Sequence, residues 1–384
     1  MTKLSSAEDT TASVLIAGDF CPINRIERLA LSEDFESIFN DFNQVFNGND
    51  LNIVDLECPL THTNNARIKT GPPQKAHPDT IRILKHANIN LVAMANNHVM
   101  DYGTKGLEDT LHLLDKNAIQ TVGIGKSASL ATKPYSFETK NTSIAILNIA
   151  DNEFLSTPDG TYTCNSIDTL RCFYDIKNAK ETHDYVIVIV HGGNEFYELP
   201  SPRIKKLYRY IADLGADAVV AHHTHVFSGY EVHHSTPIFY GLGNFLYDWP
   251  GKENSTWNKG YIVRMQIADK LDFEIIPFKQ NDSNPGIFHL SNSEIRNFNE
   301  DINRLNSIIQ DDRLLEEKFS VYCQSVFPMY DAFIEPNLGR YINALRKRKL
   351  FPGLLSKKKR LLLLNLARCE SHRDVLLRML KQYE

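Results

Sequence analysis

Five short polar motifs follow apolar, strand-like runs along this 384-residue chain. In chain order they are Gly18-Asp19, Leu56-Glu57, Asn96-Asn97-His98, His191-Gly192-Gly193 and His222-His223-Thr224-His225. Carboxylate, amide and imidazole groups are the ligands that divalent metal centres take from proteins. Five strand ends can bring such groups together only if the strands lie side by side. The motifs therefore predict a sheet with a metal site at its edge.

The spacing of apolar residues predicts an α/β fold. Buried strands are expected at residues 14–17, 51–54, 91–95, 122–124, 144–149, 185–190 and 218–220. Segments with helical periodicity alternate with them, at residues 35–46, 78–87, 107–116 and 203–214. Strand-like segments without helices follow at 230–233, 238–242, 261–267 and 273–279. We expect these to add antiparallel strands, giving two packed sheets with helices outside.

The last ninety or so residues have a different pattern. Segments 294–309, 313–325 and 360–382 all show helical periodicity, which predicts an all-helical C-terminal appendage over residues 293–384. The stretch 280–286 is rich in Asn, Asp, Ser, Pro and Gly, and it is the expected junction with a first domain over residues 12–285.

Composition limits the compartment and the partners. A net charge of −5 argues against a broadly basic nucleic-acid binder, so no nucleic acid is expected as a partner. The six cysteines are scattered without a CxxC pair, which favours a reducing compartment. Residues 1–11 lack the basic start and apolar core of a secretion signal, and no apolar run approaches the ~20 residues of a membrane span. We expect a cytoplasmic protein.

Each motif alone has an ordinary structural interpretation. An Asp after Gly often caps a helix, an Asn pair often forms a turn, and a strand-end His is often bonded to a neighbouring carbonyl. The cluster at 222–225 is more specific, because three of its four residues are histidines directly after an apolar run. On an extended chain, His223 and His225 would point to the same side and could reach one metal pair. A surface histidine cluster is the alternative.

Taken in order, the motifs resemble the CapA family, which is associated with poly-γ-glutamate and capsule synthesis. The domain of that family is similar to calcineurin-like metallophosphoesterases. The resemblance covers residues 14–248. It is carried by Ala95-Asn96-Asn97-His98 with Asp101-Tyr102-Gly103, His191-Gly192 with Glu195, Gly215-Ala216-Asp217 before the histidine cluster, and Gly241-Leu242-Gly243-Asn244-Phe245. It implies a four-layer αββα metallophosphoesterase-like sandwich, followed here by the helical appendage.

The resemblance also implies roles for individual residues. One or two divalent ions, of Mn, Zn or Mg, would be held by Asp19, Glu57, Asn97, His191, His223 and His225. Glu57 would take the place of the bridging carboxylate. His98 would face the substrate, where it stabilises charge or protonates the leaving oxygen, and Asp101 would orient it.

Cys21 departs from the metallophosphoesterase pattern, which has a histidine at this position. Without that imidazole one metal position is short of a ligand, unless the Cys21 thiolate binds, which would favour zinc. His222 is a further candidate, either as a ligand or as support for one. Glu57 also differs, because the pattern usually has the shorter aspartate there.

A divalent centre of this kind activates water for hydrolysis. We therefore expect a metal-dependent phosphoesterase or related hydrolase of capsule or cell-surface polymer metabolism, acting on an anionic small molecule or polymer end. Candidates for substrate binding are Lys75, Asn194, Glu195 and Asn244. Lys69 and Arg25 are also considered, and for all three cations a solvated surface charge is the alternative.

Two other functions stay open. The first is a non-catalytic accessory subunit of a polymer synthesis or export complex with the same fold. The second is a membrane-surface adaptor, because basic residues at 346–349 and 357–360 lead into an amphipathic helix, and the segment 346–364 would contact an anionic membrane peripherally. A solvated helix face packed on the first domain is the alternative, since Glu370 and Asp374 interrupt the basic pattern.

Overall fold

Continuous apolar runs build the central strands, because parallel strands inside an α/β protein are covered on both faces. A computed structural model describes residues 12–334 and 355–380 of the chain. Its strands are β1 (Ala12–Cys21), β2 (Leu51–Leu56), β3 (Leu91–Ala93), β4 (Gln120–Val122), β5 (Ile124–Gly125), β6 (Tyr135–Glu138), β7 (Ser143–Ala150), β8 (Thr163–Cys164), β9 (Tyr185–His191), β10 (Ala218–His222), β11 (Tyr230–His233), β12 (Thr236–Phe239), β13 (Asn244–Tyr247), β14 (Lys259–Ile267), β15 (Leu271–Gln280) and β16 (Ile287–His289).

Helices lie between several of these strands and make up the C-terminal part. They are α1 (Arg25–Leu31), α2 (Phe35–Phe39), α3 (Ile81–His86), α4 (Gly103–Lys116), α5 (Ala128–Ala131), α6 (Thr169–Thr182), α7 (Pro202–Asp213), α8 (Asn292–Gln310), α9 (Asp312–Ile334), α10 (Lys357–Arg368) and α11 (Glu370–Leu380). Side chains fix several helix starts: Ser201 caps α7, and Ser291 with Glu294 forms a capping box at α8.

Two sheets face each other. The first has the strand order β16-β15-β14-β1-β2-β3-β4, with β13 also paired to β1. The second has the order β11-β12-β10-β9-β7-β6. Strands β1 to β4 run parallel in the first sheet, as do β7, β9, β10 and β12 in the second, while β14, β15 and β16 are antiparallel. Parallel neighbours end at the same edge, where the polar motifs lie.

The layers are held by two apolar cores. Val14 and Ile16 of β1 point into the core between the sheets, which also includes residues of α6, α7 and α8 outside the second sheet. Leu15 points the other way, into a core shared with α1 to α4. This alternation is that of a strand buried on both faces. The predicted four-layer α/β sandwich with C-terminal helices is confirmed.

Some predicted elements differ in detail. The strand predicted at 122–124 is interrupted at Gly123, whose φ is +90° and where a Cβ would lie 2.2 Å from the side-chain oxygen of Asn148. The helix predicted at 360–382 is two helices separated at Cys369, and residues 381–382 lie outside the described part. The segment 280–286 contains the last residue of β15 and the turn that leads into β16. The division into domains at 285 and 293 stays a prediction.

Three further features concern the helices, the cysteines and the basic cluster of the C-terminal part. No helix within the described ranges is long and apolar enough to cross a bilayer. All six cysteines fall within those ranges and are buried and unpaired. The basic cluster at 346–349 lies outside the described residues.

At Gly18, β1 lies very close to the loop 241–243, and a substitution of this glycine tests that packing. A Cβ at this position would lie 1.9 Å from the Gly243 carbonyl oxygen. We expect Gly18→Ala to lower the free energy of unfolding by about 3 kcal/mol or more, because backbone must move to relieve the clash. Urea unfolding followed by circular dichroism measures this change.

Gly71→Ala is the matched control, because a Cβ there meets nothing within 4 Å although φ is +76°. Its expected cost is about 1 kcal/mol, from the left-handed backbone alone. Equal costs for the two variants would contradict the packing described for Gly18.

Candidate metal centre

The two sheets deliver their polar residues to the common edge in pairs. Asp19 at the end of β1 is the register partner of Asp55 in β2. His191 at the end of β9 is likewise the partner of His222 at the end of β10. Glu57 follows β2, and its backbone N–H donates to the Phe20 carbonyl at 3.0 Å. Carboxylates from one sheet thus meet imidazoles from the other.

The first group of potential ligands consists of Asp19, Glu57 and His225, whose ligand atoms lie within 4.8 Å of one another. The His225 Nδ1 is 3.4 Å from Asp19 Oδ2 and 3.7 Å from Glu57 Oε2. All three residues are buried. Two carboxylates with one imidazole suit a divalent cation.

The second group consists of Glu57, His191 and His223, again within 4.8 Å. The His191 Nε2 is 3.5 Å from Glu57 Oε1 and 3.1 Å from His223 Nδ1. The Asn97 Oδ1 is 3.1 Å from the same His191 nitrogen and adds an amide oxygen to this group. Glu57 belongs to both groups, one oxygen facing each, which is the arrangement expected of a bridging carboxylate.

The surroundings of the Glu57 carboxylate show whether a cation fits between the two groups of potential ligands. Both of its oxygens are buried and neither accepts a hydrogen bond. A buried carboxylate without hydrogen bonds is costly unless a cation compensates it. Burial raises the pKa of Glu57 well above its usual range, and the neighbouring Asp19 and Asp55 charges add to the effect. The donor set therefore fits one or two divalent ions.

Two of the candidate ligands, His191 and His223, are in the neutral form that binds metal. Burial lowers the pKa of His191 and of His223 to about 3 each, so both imidazoles are neutral near pH 7. Asp19 is ionised for a different reason. Burial acts to raise its pKa, but hydrogen bonds and charges from His222 and His225 outweigh burial and lower it.

Asp55 is a candidate site residue that was not predicted from the sequence. Its Oδ2 lies 3.0 Å from His191 Nδ1, on the side of the ring away from Glu57 and Asn97. Neither atom has a hydrogen-bond partner, and Asp55 forms a further group of potential ligands with Asp19 and His191. The position of Asp55, two residues before Glu57, could have indicated that it lies at the same site, because alternate residues of a strand point to the same face.

The backbone at the histidine cluster is not extended. His223 has φ 88° and His225 has φ 58°, both in the left-handed region that non-glycine residues rarely adopt. The extended-chain interpretation of this spacing is therefore wrong. The two rings, with centroids 6.2 Å apart, instead serve different groups, His223 beside His191 and His225 beside Asp19. The strain is held by the surrounding buried contacts.

His98 and Asp101 form a hydrogen-bonded pair next to Asn97. The His98 Nδ1 lies 2.7 Å from Asp101 Oδ2. Lys69, treated above as a surface candidate, is buried here and donates from Nζ to Asp101 Oδ1 at 2.7 Å and to the Asn97 carbonyl at 2.9 Å. The predicted contact between His98 and Asp101 is observed. The burial of Lys69 was not predicted from the sequence.

Cys21 and His222 lie beside the centre in supporting positions. Cys21 belongs to no potential ligand group of the described residues. Burial raises the pKa of its thiol well above the usual range, and the adjacent Cys58 thiol contributes in the same direction. His222 Nδ1 is 3.3 Å from Asp19 Oδ1 and contacts the carboxylate rather than joining a ligand group.

The predicted substrate-binding residues are distributed unevenly. Glu195 lines the cavity in front of the centre, together with His98 and His225. Lys75 lies elsewhere, donating to the Thr63 carbonyl at 2.7 Å. Asn194 donates to the Ser371 carbonyl at 3.4 Å, and Asn244 is buried behind His225, with its Oδ1 at 2.9 Å from Nδ1 of that ring.

Arg25 is also placed outside the cavity. Its guanidinium forms an ion pair with Asp248 at 2.7 Å and donates to the carbonyls of Asn281 and Asp282. It ties the start of α1 to two neighbouring loops.

The cavity has a volume of about 290 Å³ and a largely aromatic wall. That wall consists of Phe196, Tyr247, Trp249 and Trp257. Lys252 provides its positive charge, with Nζ 4.3 Å from the Phe196 ring centroid. The sequence reasoning did not assign Lys252 or the two tryptophans, because they follow the last polar motif and reach the cavity only through the fold.

The fold and the side-chain groups define an α/β protein with a candidate metal centre at the joined sheet edges. Residues 13–249 match the family model described as bacterial capsule synthesis protein PGA_cap, and the chain belongs to this family. The CapA resemblance seen in the sequence is thereby confirmed.

Relatives with curated names agree with this family. The chain is 29% identical over 289 residues to the Bacillus subtilis (strain 168) PGA biosynthesis protein CapA, covering 74% of this chain and 75% of that protein. It is 28% identical over 220 residues to the Bacillus anthracis capsule biosynthesis protein CapA, covering 55% and 52%. A Mycobacterium tuberculosis relative named "Probable polyglutamine synthesis accessory protein" is 24% identical over 215 residues, covering 53% and 57%.

Similarity to solved structures is weaker. A hypothetical protein from Thermus thermophilus gives a TM-score of 0.42 at 15% identity, covering 69% of this chain and 99% of that one. A 5'-nucleotidase from Candida albicans gives 0.37 at 10% identity, covering 70% and 52%.

We expect metal binding to depend on the Glu57 carboxylate and not on Lys75, which lies between Glu57 and Asn97 in the sequence. Glu57→Gln keeps the shape but removes the charge shared by both groups, so we expect Mn²⁺ affinity to fall more than about 100-fold. Isothermal titration of the full chain after chelator treatment measures it. Lys75→Met is the matched control, and equal binding by wild type and Glu57→Gln would contradict the bridging role.

Proposed function

We propose that the protein is a metal-dependent hydrolase of the phosphoesterase type that acts in capsule or cell-surface polymer metabolism. The observation that carries this proposal is the Glu57 carboxylate, whose two oxygens face two separate ligand groups and accept no hydrogen bond. When bound there, divalent ions supply Lewis-acid chemistry and activate water. The family membership supports the polymer context, and the buried donor set supports the chemistry.

His98 is the proposed proton donor to the leaving group. Because the Asp101 carboxylate accepts a hydrogen bond, the His98 Nδ1 carries the hydrogen, and its Nε2 is the nitrogen available to a substrate. Lys69 holds Asp101 and the Asn97 carbonyl together, so the ring next to the ligand Asn97 has a fixed orientation. With a second proton on Nε2, the imidazolium can protonate a leaving oxygen or stabilise its charge.

The cavity favours an anionic substrate with an apolar or planar portion. Lys252 is its cationic side chain, and the aromatic wall offers flat apolar surface. Glu195 lies near enough to the centre to affect the pKa of Glu57 and of His223. The negative charge of Glu195 would favour substrates that have a hydrogen-bond donor near Glu195 and an anionic group near the bound divalent ions.

Phosphoester hydrolysis tests the proposal directly. The metal-loaded full chain should hydrolyse p-nitrophenyl phosphate or bis-p-nitrophenyl phosphate with Mn²⁺, Zn²⁺ or Mg²⁺, and His223→Ala should abolish turnover. His98→Ala should lower kcat by about 10²–10⁴-fold while metal content, measured by mass spectrometry, is unchanged. Lys75→Met is expected to match wild type. Absence of turnover by the metal-loaded wild type would overturn the phosphoesterase assignment.

A non-catalytic accessory role is the second candidate. The neutral, buried Cys21 thiol offers no thiolate to the Asp19 group, which leaves that group with fewer ligands than the other. The Mycobacterium tuberculosis relative carries the word accessory in its name. Under this alternative the wild type binds metal, hydrolyses neither phosphoester, and His98→Ala changes nothing measurable.

We also propose peripheral contact with anionic membrane through residues 346–364. Lys357 and Lys358 are exposed at the start of α10, and basic residues near such a surface contribute about 1 kcal/mol each. Lys357→Glu with Lys358→Glu should weaken binding to phosphatidylserine vesicles at least about tenfold in flotation assays. Neutral phosphatidylcholine vesicles are the control, and unchanged flotation of the variant would refute the contact.

A further inference from the structure

A separate group of potential metal ligands lies where the C-terminal helices meet the α/β layers. Glu153, Cys369 and His372 place their ligand atoms within 4.8 Å of one another and share no residue with the groups around Glu57. Glu153 is in the loop after β7, Cys369 separates α10 from α11, and His372 is in the first turn of α11. We propose that this Glu153–Cys369–His372 group binds Zn²⁺.

The spacing of the side chains suits a tetrahedral ion. The His372 Nε2 is 3.6 Å from Glu153 Oε1, which is longer than a good hydrogen bond. Zinc takes nitrogen and oxygen ligands at about 2.0–2.2 Å and sulfur at about 2.3 Å, so ligands around it are separated by roughly 3.3–3.8 Å. The 3.6 Å separation of His372 Nε2 and Glu153 Oε1 falls within this range.

The partners of the ligands also match a zinc site. The Tyr330 hydroxyl lies 2.7 Å from His372 Nδ1, which engages one ring nitrogen and turns the other towards Glu153. The Asn365 Nδ2 donates to Glu153 Oε1 at 2.8 Å, and the Asn365 carbonyl accepts from the Cys369 N–H at 2.9 Å. Metal-binding histidines and carboxylates usually have such supporting partners.

The ligand types determine which metal is preferred, and the exposure of the side chains determines how an ion could enter. A thiol, an imidazole and a carboxylate together favour Zn²⁺ over Mg²⁺ or Ca²⁺, which prefer oxygen ligands. Binding would displace the Cys369 thiol proton to solvent, since the thiolate is the ligand. Glu153 and Cys369 are buried, whereas the His372 side chain is 34% exposed, which provides an entry path and an open fourth position.

Such an ion would join two parts of the chain more than 200 residues apart in sequence, the loop after β7 and the last helices. Glu153 lies near enough to His223 to affect the pKa of that ring. Zinc at Glu153 would thus fix the C-terminal helices beside the catalytic centre.

Cobalt substitution tests the proposal on the full chain. Chelator-treated wild type titrated with Co²⁺ should develop a thiolate-to-cobalt charge-transfer band that Zn²⁺ then displaces, because zinc binds such sites more tightly. The band should be lost in Cys369→Ser. It should be retained in Cys21→Ser, which removes the buried thiol beside the other centre.

Two variants keep the test decisive if Cys369→Ser fails to fold. His372→Ala and Glu153→Gln should each weaken Co²⁺ binding, followed at the same band, at least about tenfold. Unchanged affinity in both would overturn the proposal. So would the absence of the band at excess Co²⁺, or a band that disappears in Cys21→Ser and persists in Cys369→Ser, since cobalt would then bind at the Glu57 centre only.

Discussion

The burial of three carboxylates on two adjacent strand ends is the constraint on which the rest of the structure depends. Asp19, Asp55 and Glu57 are fully buried and mutually close, as the effect of the two aspartates on the pKa of Glu57 shows. Like charges in a low-dielectric interior are costly unless compensated. Asp19 is compensated by His222, His225 and the His223 N–H. Asp55 Oδ2, although 3.0 Å from the neutral His191 ring, and both Glu57 oxygens have no hydrogen-bond donor. This arrangement of side chains fits a divalent cation.

Sheet topology explains why the compensation is possible. Parallel pairing of β1 with β2, and of β9 with β10, ends two strands of each sheet at one edge, so the acidic and imidazole residues arrive as register partners. The loop after β10 then departs from extended geometry at His223 and His225, which divides the histidine cluster between two ligand groups. Backbone strain of this kind persists only where the surrounding contacts fix it, and it is concentrated at functional sites.

Much of the fold and of the candidate site could be predicted because each pattern in the sequence is local. Apolar runs mark the strands, and a polar residue directly after a run marks the edge, as for Asp19, Glu57 and His191. Asp55 was missed because it lies inside its strand, where burial conceals its role. Lys69 could not be distinguished from Lys75 by sequence, since only the tertiary contact with Asp101 buries the first and leaves the second on Thr63. Non-local pairing decides such cases.

The C-terminal helices are coupled to the centre through Asp151, which follows β7. Its Oδ2 accepts from the Gly193 N–H at 3.1 Å and from the Ser371 hydroxyl at 2.5 Å. A Cβ at Gly192 would lie 2.9 Å from the same carboxylate, so glycine is needed for this approach. One buried side chain therefore fixes both the turn after His191 and the start of α11. The same carboxylate therefore connects α11 to the turn that follows the candidate ligand His191.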